Sequence, residues 1–287
     1  MSVSIASNIA ALEAARKLNS ATNKLGKVFE RLSSGVRINS ASDDPAGLAV
    51  ADALRADTKI ATVAIRNAND GISLTSIADA GLSEIENLLT RMAELAEQSS
   101  NGVYTNAQRS ALSSEFEALG SEIERIASTT TFNGLNLLSN SSSISVQVGL
   151  DGSANSQITI EAVLGTLDSL GLAGSGSSQL SYSIIGTTVG ASTDASENAL
   201  DAVNAAIDSL SATRGKLGAS EARLNSAVSN LTLARENFAA AESRIRDIDV
   251  AEETAELTRL TILQQGAAAV FAQANLQPEI ALALLQT

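Results

Sequence analysis

Residues 196–248 read SENALDAVNAAIDSLSATRGKLGASEARLNSAVSNLTLARENFAAAESRIRDI, and an apolar side chain recurs there at every seventh position. A second apolar series lies between the members of the first, which is the heptad pattern of a helix packed lengthwise on other helices. The spacing predicts one helix of about 75–80 Å, a length that favours an elongated bundle. The two series are Leu210, Leu217, Leu224, Leu231, Phe238 and Ile245, and Val203, Ile207, Val228, Ala234, Ala241 and Ile248.

Two segments earlier in the sequence predict helices that pack against this apolar stripe. Apolar residues step by three and four positions through residues 82–96 and 112–126, and Ser99–Gly102 between them predicts a helix stop and turn. Another helix is predicted to begin at Pro45, because Asp44 can accept from free backbone N–H groups and proline at the first helical position loses no needed donor. Capping is therefore the preferred interpretation of Asp43 and Asp44, and metal binding is the alternative.

Residues 139–196 have a different composition, rich in Ser, Thr and Gly. Short apolar runs alternate with period two at residues 144–148, 158–160 and 182–184, and Asp151-Gly152 is a turn signal. The pattern predicts a small β-hairpin or a three-stranded patch inserted between helices. The predicted fold class is therefore mainly α, a long antiparallel helical bundle or coiled coil with a small β-hairpin region.

The composition argues against catalysis and against several partners. The 287 residues include no Cys, His or Trp, which excludes thiolate zinc sites, Cys nucleophiles and Ser-His-Asp triads. We expect no enzyme activity, no metal and no cofactor. The net charge of −13 repels nucleic acid and anionic membrane surfaces, so neither is an expected partner. No run of 18 apolar residues predicts a membrane span, and Met1–Ala15 lacks the pattern of a cleaved secretory signal.

Both ends of the chain carry narrow apolar stripes, in residues 5–32 and 252–285. Neither stripe alone buries enough area to offset the entropy of ordering, so each needs the other or another copy of the chain. Pairing of the two ends would place two crossings at one hinge, at Ser33–Asp43 and Arg244–Glu253. The candidate hinge residues are Arg37, Asp43, Asp44, Asp247 and Asp249.

The second crossing holds an acidic cluster formed by Asp247, Asp249, Glu252 and Glu253. Carboxylates bind hard cations, but the cluster lacks the glycine and the alternating spacing of a calcium loop. A solvated helical face paired with nearby arginines is therefore the preferred interpretation.

Four blocks of the sequence resemble bacterial flagellins, in the order in which that family has them. They are ERLSSGVRINSASDDPAGLAVA at 30–51, RNANDGISL at 66–74, FNGLNLL at 132–138 and RIRDIDVAEETAELTRLTILQQGAAAVFAQAN at 244–275. The resemblance implies a secreted, extracellular structural subunit that polymerises head to tail into the flagellar filament for swimming motility. It also implies that residues 69–71, Asn-Asp-Gly, lie inside a long helix, although alone they predict a turn.

The resemblance further implies a terminal filament-core domain, residues 1–43 plus 246–287, and a rod domain, residues 44–245, that contains the segment 139–195. The large variable outer domains of longer flagellins are absent. We expect residues 1–35 and 250–287 to be poorly ordered in the monomer and helical in the polymer. The residues assigned to the polymerising core helices are Ile5, Ile9, Leu12, Leu25, Val28, Leu32, Leu257, Leu260, Val270, Phe271 and Leu284.

Partners are implied by the same resemblance. They are further copies of the chain, a hook–filament junction protein, a filament cap, an export chaperone and host toll-like receptor 5. Arg91, Glu94 and Leu95 match the family's receptor motif, with Glu115 as their partner on the next helix. The sequence departs from receptor-activating members at Ala93 and Leu119, so packing between subunits is the preferred role of this region.

Three alternatives remain at the level of sequence. A hook–filament junction (hook-associated) protein has similar helical ends but usually diverges in the first two blocks. A secreted hydrolase that uses carboxylates would need room for a cleft, and the segment 139–196 is short for an independent domain. A helical binding module that forms no polymer would leave the apolar ends unexplained.

Overall fold

The computed structural model describes residues 8–285, with side chains described for residues 8–276. Long helices dominate the described chain and small β-pairs lie between the third helix and the fourth, so the predicted mainly α fold is confirmed. The helices are α1 (Ile9–Ser34), α2 (Pro45–Ser100), α3 (Asn106–Thr129), α4 (Val189–Arg246) and α5 (Val250–Leu285). The strands are β1 (Thr131–Phe132), β2 (Leu135–Asn136), β3 (Ile144–Gln147) and β4 (Gln157–Ile160), with a 3₁₀ turn at Ala154–Ser156.

Backbone contacts divide the chain into two compact units, which we call the terminal unit (residues up to 58 and from 236) and the middle unit (59–235). These divisions fall inside α2 and α4. The assignment of residues 1–43 plus 246–287 to a filament core, and of 44–245 to a rod, stays a prediction. Among the described residues, no helix is both long enough and apolar enough to cross a membrane.

The core of the middle unit is built from the predicted heptad stripe. The buried side chains of α4 include Leu210, Leu217, Leu224 and Leu231. The fully buried side chains of α2 include Leu82, Ile85, Leu89 and Met92. On α3, Phe116 and Ile123 join the same core. The predicted bundle of three helices is thus confirmed for this unit.

Side-chain contacts show that α2 and α4 run antiparallel. The Ser196 hydroxyl donates to the Ser99 hydroxyl at 2.9 Å, and the Arg214 guanidinium donates to Asp79 at 2.8 Å and to Glu86. Further along α4, Leu224 lies against Gly71 of α2. As residue numbers fall along α2 they rise along α4, which is the antiparallel arrangement predicted from the sequence.

Gly71 explains why Asn-Asp-Gly lies inside a helix. A Cβ at this buried position would lie 3.2 Å from the side chains of both Leu224 and Val146. The glycine lets α4 and the β3–β4 hairpin approach α2 closely, and this packing outweighs the weak local preference for a turn. The helix implied by the resemblance is therefore confirmed.

The predicted helix signals also match the structure. The Asp44 carboxylate accepts from the Gly47 N–H at 2.9 Å as α2 begins, so the capping interpretation is confirmed for Asp44, whereas the Asp43 carboxylate accepts from N–H groups that precede the helix. Helix α3 begins with a capping box, in which Thr105 and Gln108 each bond the other's backbone N–H. The predicted stop at Ser99–Gly102 coincides with the end of α2.

The β-region is a two-stranded hairpin. Strands β3 and β4 pair antiparallel with Val146 opposite Ile158, and Ile158 and Ile160 are buried. The three-stranded alternative was wrong, because residues 182–184 form no strand. Instead Ile184 is buried and its carbonyl accepts from Ser99 and Ser196.

A second small hairpin, β1–β2, was missed. Its turn is Asn133-Gly134, with φ of 49° and 78°, and positive φ at both positions is the signature of a two-residue hairpin. The Asn-Gly pair in the FNGLNLL block is a strong hairpin signal that was available in the sequence.

Candidate functional site

Helices α1 and α5 pack lengthwise on each other, as the two terminal stripes predicted. The buried face of α1 consists mainly of alanines, which allow close approach of the partner helix. The Asn8 amide donates to the Ala274 carbonyl at 2.7 Å, and Gln264 donates to the Thr22 hydroxyl at 3.1 Å. Asn8 also caps α1 by accepting from the Ala11 N–H. The buried residues of α1 are Ala11, Ala14, Ala21 and Val28, and those described on α5 are Leu260 and Ala274.

An open groove of about 600 Å³ lies along this helix pair. Its lining is mostly apolar, with three basic side chains among the apolar ones. A groove of this composition fits an apolar helix face better than a polar small molecule. The apolar residues are Ala14, Ala21, Leu260, Ile262, Leu263, Ala267 and Val270, and the basic residues are Lys17, Lys24 and Arg259.

Large apolar side chains also point into solvent on both helices. Ile9 and Leu12 of α1 are 62% and 61% exposed, and Ile262 and Val270 of α5 are 63% and 60% exposed. Single exposed apolar residues are common, but several on one pair of helices mark an interaction surface. Phe29, Leu263 and Leu276 extend the set.

The described residues among those assigned to the core helices are exposed, buried or half-buried, and two of the assigned side chains lie outside the described part of the chain. Ile9, Leu12 and Val270 are exposed, whereas Val28 and Leu260 are buried within the subunit. Ile5 and the side chain of Leu284 lie outside the described residues. The half-buried members are Leu25, Leu32, Leu257 and Phe271.

The two predicted crossings lie side by side and are joined by backbone hydrogen bonds. Val36 and Asp247 form an antiparallel bridge, flanked by Arg37 N–H to Arg246 carbonyl at 2.5 Å and Ile248 N–H to Gly35 carbonyl at 3.3 Å. We call these two segments, residues 35–44 and 247–249, the junction. Its backbone pairing had no signal in the sequence, since it depends on segments brought together by tertiary packing.

Candidate hinge residues hold the junction through further hydrogen bonds. The Arg37 guanidinium donates to the Ile245 carbonyl at 2.7 Å. Asp249 caps α5 by accepting from the Ala251 N–H at 2.9 Å, and Asp247 accepts from the Ser243 hydroxyl at 2.6 Å.

Asp43 is the most strongly held carboxylate of the junction. It accepts from the backbone N–H groups of Asn39 and Ser40 and from the Ser40 hydroxyl. The Ser40 hydrogen bonds, with smaller help from Lys27 at 3.8 Å, lower the pKa of Asp43 below its ordinary 3.8.

Two members of the acidic cluster of the second crossing are engaged in capping and ion pairing, since Asp249 caps α5 and Glu253 lies 3.9 Å from Arg31. Arg246 pairs instead with carboxylates outside the cluster, at 3.9 Å from Asp52 and 4.0 Å from Glu242. Across the part of the chain that the structure describes, no group of three or more acidic side chains is arranged to hold a metal ion.

The region that matches the receptor motif lies in the middle unit. Arg91 donates to Glu115 at 2.8 Å and to Glu94 at 2.9 Å, and all three side chains are exposed. Leu95 is only 1% exposed and belongs to the core of the unit.

Comparison with known proteins gives matches at both ends of the chain. Residues 5–143 match the bacterial flagellin N-terminal helical region, and residues 200–285 match the bacterial flagellin C-terminal helical region. A flagellin of Halalkalibacterium halodurans is 41% identical over 280 residues, which are 97% of this chain and 98% of that protein.

Other relatives match in part. Polar flagellin F of Vibrio parahaemolyticus is 43% identical over 164 residues, 57% of this chain, and the match spans 44% of that protein's length. The crystal structure of Bacillus cereus flagellin is 26% identical with a TM-score of 0.47, covering 58% of this chain and 88% of that one. Because both helical regions match and the alignment with the Halalkalibacterium protein runs over nearly all of both chains, this chain belongs to the bacterial flagellin family.

Proposed function

We propose that this flagellin polymerises head to tail through the exposed apolar faces of α1 and α5. Membership of the family makes the chain a structural subunit of the extracellular flagellar filament, and not an enzyme. The observation that carries the proposed interface is the set of apolar side chains left in solvent on the terminal helix pair.

The free energy gained by burying that apolar surface favours a contact between subunits. Burying a large aliphatic side chain completely is worth about 1.5–3 kcal/mol, so Ile9, Leu12, Ile262 and Val270 together offer several kcal/mol to a neighbour. A filament needs two different surfaces that bind each other without closing, as a screw operation requires. The α1–α5 pair offers two such surfaces: the groove, which Ile262 and Val270 help to line, and the exposed Ile9 and Leu12, which do not line it.

The test is to place a charge on the outward face of α5. In Ile262→Asp a carboxylate would be buried at each contact, so the critical concentration for filament growth should rise at least about tenfold. Val103→Asp is the matched control, because Val103 is 77% exposed in the turn between α2 and α3. Both monomers should keep the parent's circular dichroism, and normal growth of Ile262→Asp filaments would contradict the proposal.

The junction-protein alternative has no support from the comparisons, since the relatives described above are flagellins. Whether the purified chain alone grows long filaments separates the two functions. A filament subunit should elongate from seeds without limit, and a junction protein should stop after a short zone.

The remaining partners are proposals that the family supports. We propose that a hook–filament junction protein and a filament cap contact the ends of the polymer, and that an export chaperone binds the subunit before assembly. For toll-like receptor 5 we propose contact through Arg91, Glu94 and Glu115, whose side chains are exposed, and no contact with the buried Leu95. A receptor reporter assay on soluble monomer, with Arg91→Ala as the variant, tests this contact.

A further inference from the structure

Helix α4 has a second long face, opposite its buried leucines, whose side chains are exposed among the described residues, although residues 181–183 border it at Asp201. Ala205, Ala212 and Ala219 repeat there every seven residues and are all exposed. Gly215 also lies on this face, and no atom within 4 Å of its Cβ position requires a glycine. An unneeded glycine in a helix interior costs about 1 kcal/mol relative to alanine, and no contact among the described residues requires a glycine here.

The first half of the same face is acidic. Four exposed carboxylates lie there on one side of the helix, because they are spaced by three, four and seven residues. They are Asp194, Glu197, Asp201 and Asp208. Within the described residues none of them has a salt-bridge partner: the ion pairs of the middle unit use other carboxylates. We call these four residues the acidic stripe.

A complementary surface exists on α2. Lys59 and Arg66 are exposed and lie seven residues apart, and neither has an ion-pair partner among the described residues. Val63 lies between them on the same side of the helix and is 45% exposed. We call Lys59, Val63 and Arg66 the basic stripe: two unpaired cations around an apolar side chain.

The two stripes cannot meet within one molecule. The Ser196–Ser99 hydrogen bond fixes the acidic stripe beside the C-terminal end of α2. Arg66 lies on the same helix about 50 Å from Ser99, at 1.5 Å per residue. Both stripes belong to the middle unit, at its opposite ends. Both sets of charges are exposed, unpaired among the described residues and too distant to pair internally, so a neighbouring copy that brings them together would gain an attraction that the monomer lacks.

We propose that the acidic stripe on α4 docks on the basic stripe on α2 of the next copy of the chain. The occupant is a second copy because the complementary charge and the exposed valine are present on this chain itself. The contact is heterologous, so a docked pair still offers one free stripe of each sign, the basic stripe on one copy and the acidic stripe on the other, and the series does not close. The small residues of the α4 face let the neighbouring helix approach closely. The inference rests on the proposed polymerisation and adds a second contact, outside the terminal helices.

The test reverses the charges on each stripe separately and then together. Glu197→Lys with Asp201→Lys should raise the critical concentration for filament growth about tenfold at low ionic strength, and Lys59→Glu with Arg66→Glu should do the same. A chain that carries all four changes should return to within about threefold of the parent, because every contact then has both signs exchanged. The defects of the separate reversals should shrink with added salt, as the Debye length falls from about 30 Å at 0.01 M to about 3 Å at 1 M.

Restoration is the decisive outcome, since residues about 50 Å apart cannot compensate for each other inside a monomer. Glu97→Lys with Glu117→Lys makes the same charge change at the same end of the middle unit, away from the stripe, and should leave growth unchanged. The inference is overturned if this control is equally defective, if the separate reversals are harmless, or if the fourfold variant shows both defects added. In each of those cases the polymerisation through α1 and α5 still stands if Ile262→Asp blocks growth, and it falls separately if Ile262→Asp grows normally.

Discussion

Asp43 shows how one side chain stabilises a turn by accepting from backbone N–H groups. The residues between α1 and α2 form no regular structure, and the Asp43 carboxylate gathers the N–H groups of Asn39 and Ser40 that no helix satisfies. Those hydrogen bonds favour the ionised form, which is why its pKa is lowered. The sequence placed Asp43 in the junction, but the loop that it closes depends on three-dimensional geometry.

The lowered pKa predicts how the junction responds to acid. A group whose pKa is lower in the folded state than in the unfolded state adds stability that is complete above the unfolded value, near 3.8, and is lost as the pH falls through the folded value. The parent should therefore be more stable than Asp43→Asn at pH 6, and the difference should vanish at the lowest pH at which both fold. Urea unfolding at a series of pH values measures this difference. A gap that is constant with pH would contradict the prediction.

At the scale of the helix, two glycines with opposite surroundings distinguish the effect of side-chain packing from the effect of helix propensity. A Cβ at Gly71 on α2 would contact Leu224 and Val146, whereas nothing lies within 4 Å of a Cβ at Gly215 on α4. Local sequence does not distinguish them, because both interrupt otherwise regular helical patterns. The difference arises from which face of each helix the core and the hairpin cover.

We expect alanine at the two positions to have opposite effects on the monomer. Gly71→Ala should lower the free energy of unfolding by about 1 kcal/mol, because overpacking costs exceed the gain in helix propensity. Gly215→Ala should raise the free energy of unfolding by up to about 1 kcal/mol. Urea denaturation of the two variants checks both, and changes of the same sign would show that the surroundings of Gly71 adapt freely.

At the scale of the whole molecule, the sequence was most informative where apolar periodicity was long. The α4 heptads, the antiparallel partners and the β3–β4 hairpin all follow from spacing, since a regular pattern must bury one face. The β1–β2 hairpin and the bridge between Val36 and Asp247 were not predicted. Two-residue strands and single bridges carry too little pattern to be detected.

The candidate site was predicted in outline but not in detail. Pairing of the terminal stripes was correct, yet the stripes did not show that Val28 and Leu260 face the partner helix while Leu12 and Val270 face solvent. A helix rich in alanine presents apolar residues on more than one side, so the direction of each side chain depends on the crossing geometry.

The terminal pair predicts a difference between monomer and filament. Outside the polymer, α1 and α5 bury mainly alanines and leave larger side chains in water, so their opening should cost little free energy. Amide hydrogen exchange in residues 9–34 and 250–276 should be fast in the monomer and slowed by at least about a hundredfold in the filament. Exchange in α3, whose Phe116 and Ile123 are buried in the monomer, should change little and is the internal control. Equal protection of the terminal helices in both states would contradict the prediction.

The bond between the Asn8 amide and the Ala274 carbonyl spans 266 positions of sequence. A ribosome therefore makes α1 long before it makes the helix on which α1 packs, and contacts so distant in sequence form slowly. During synthesis the first helix has no permanent partner, and a product that stops short of α5 never acquires one. Only a polypeptide that extends through α5 completes the paired surface. Prematurely terminated products lack this surface, so its formation distinguishes complete chains from truncated ones.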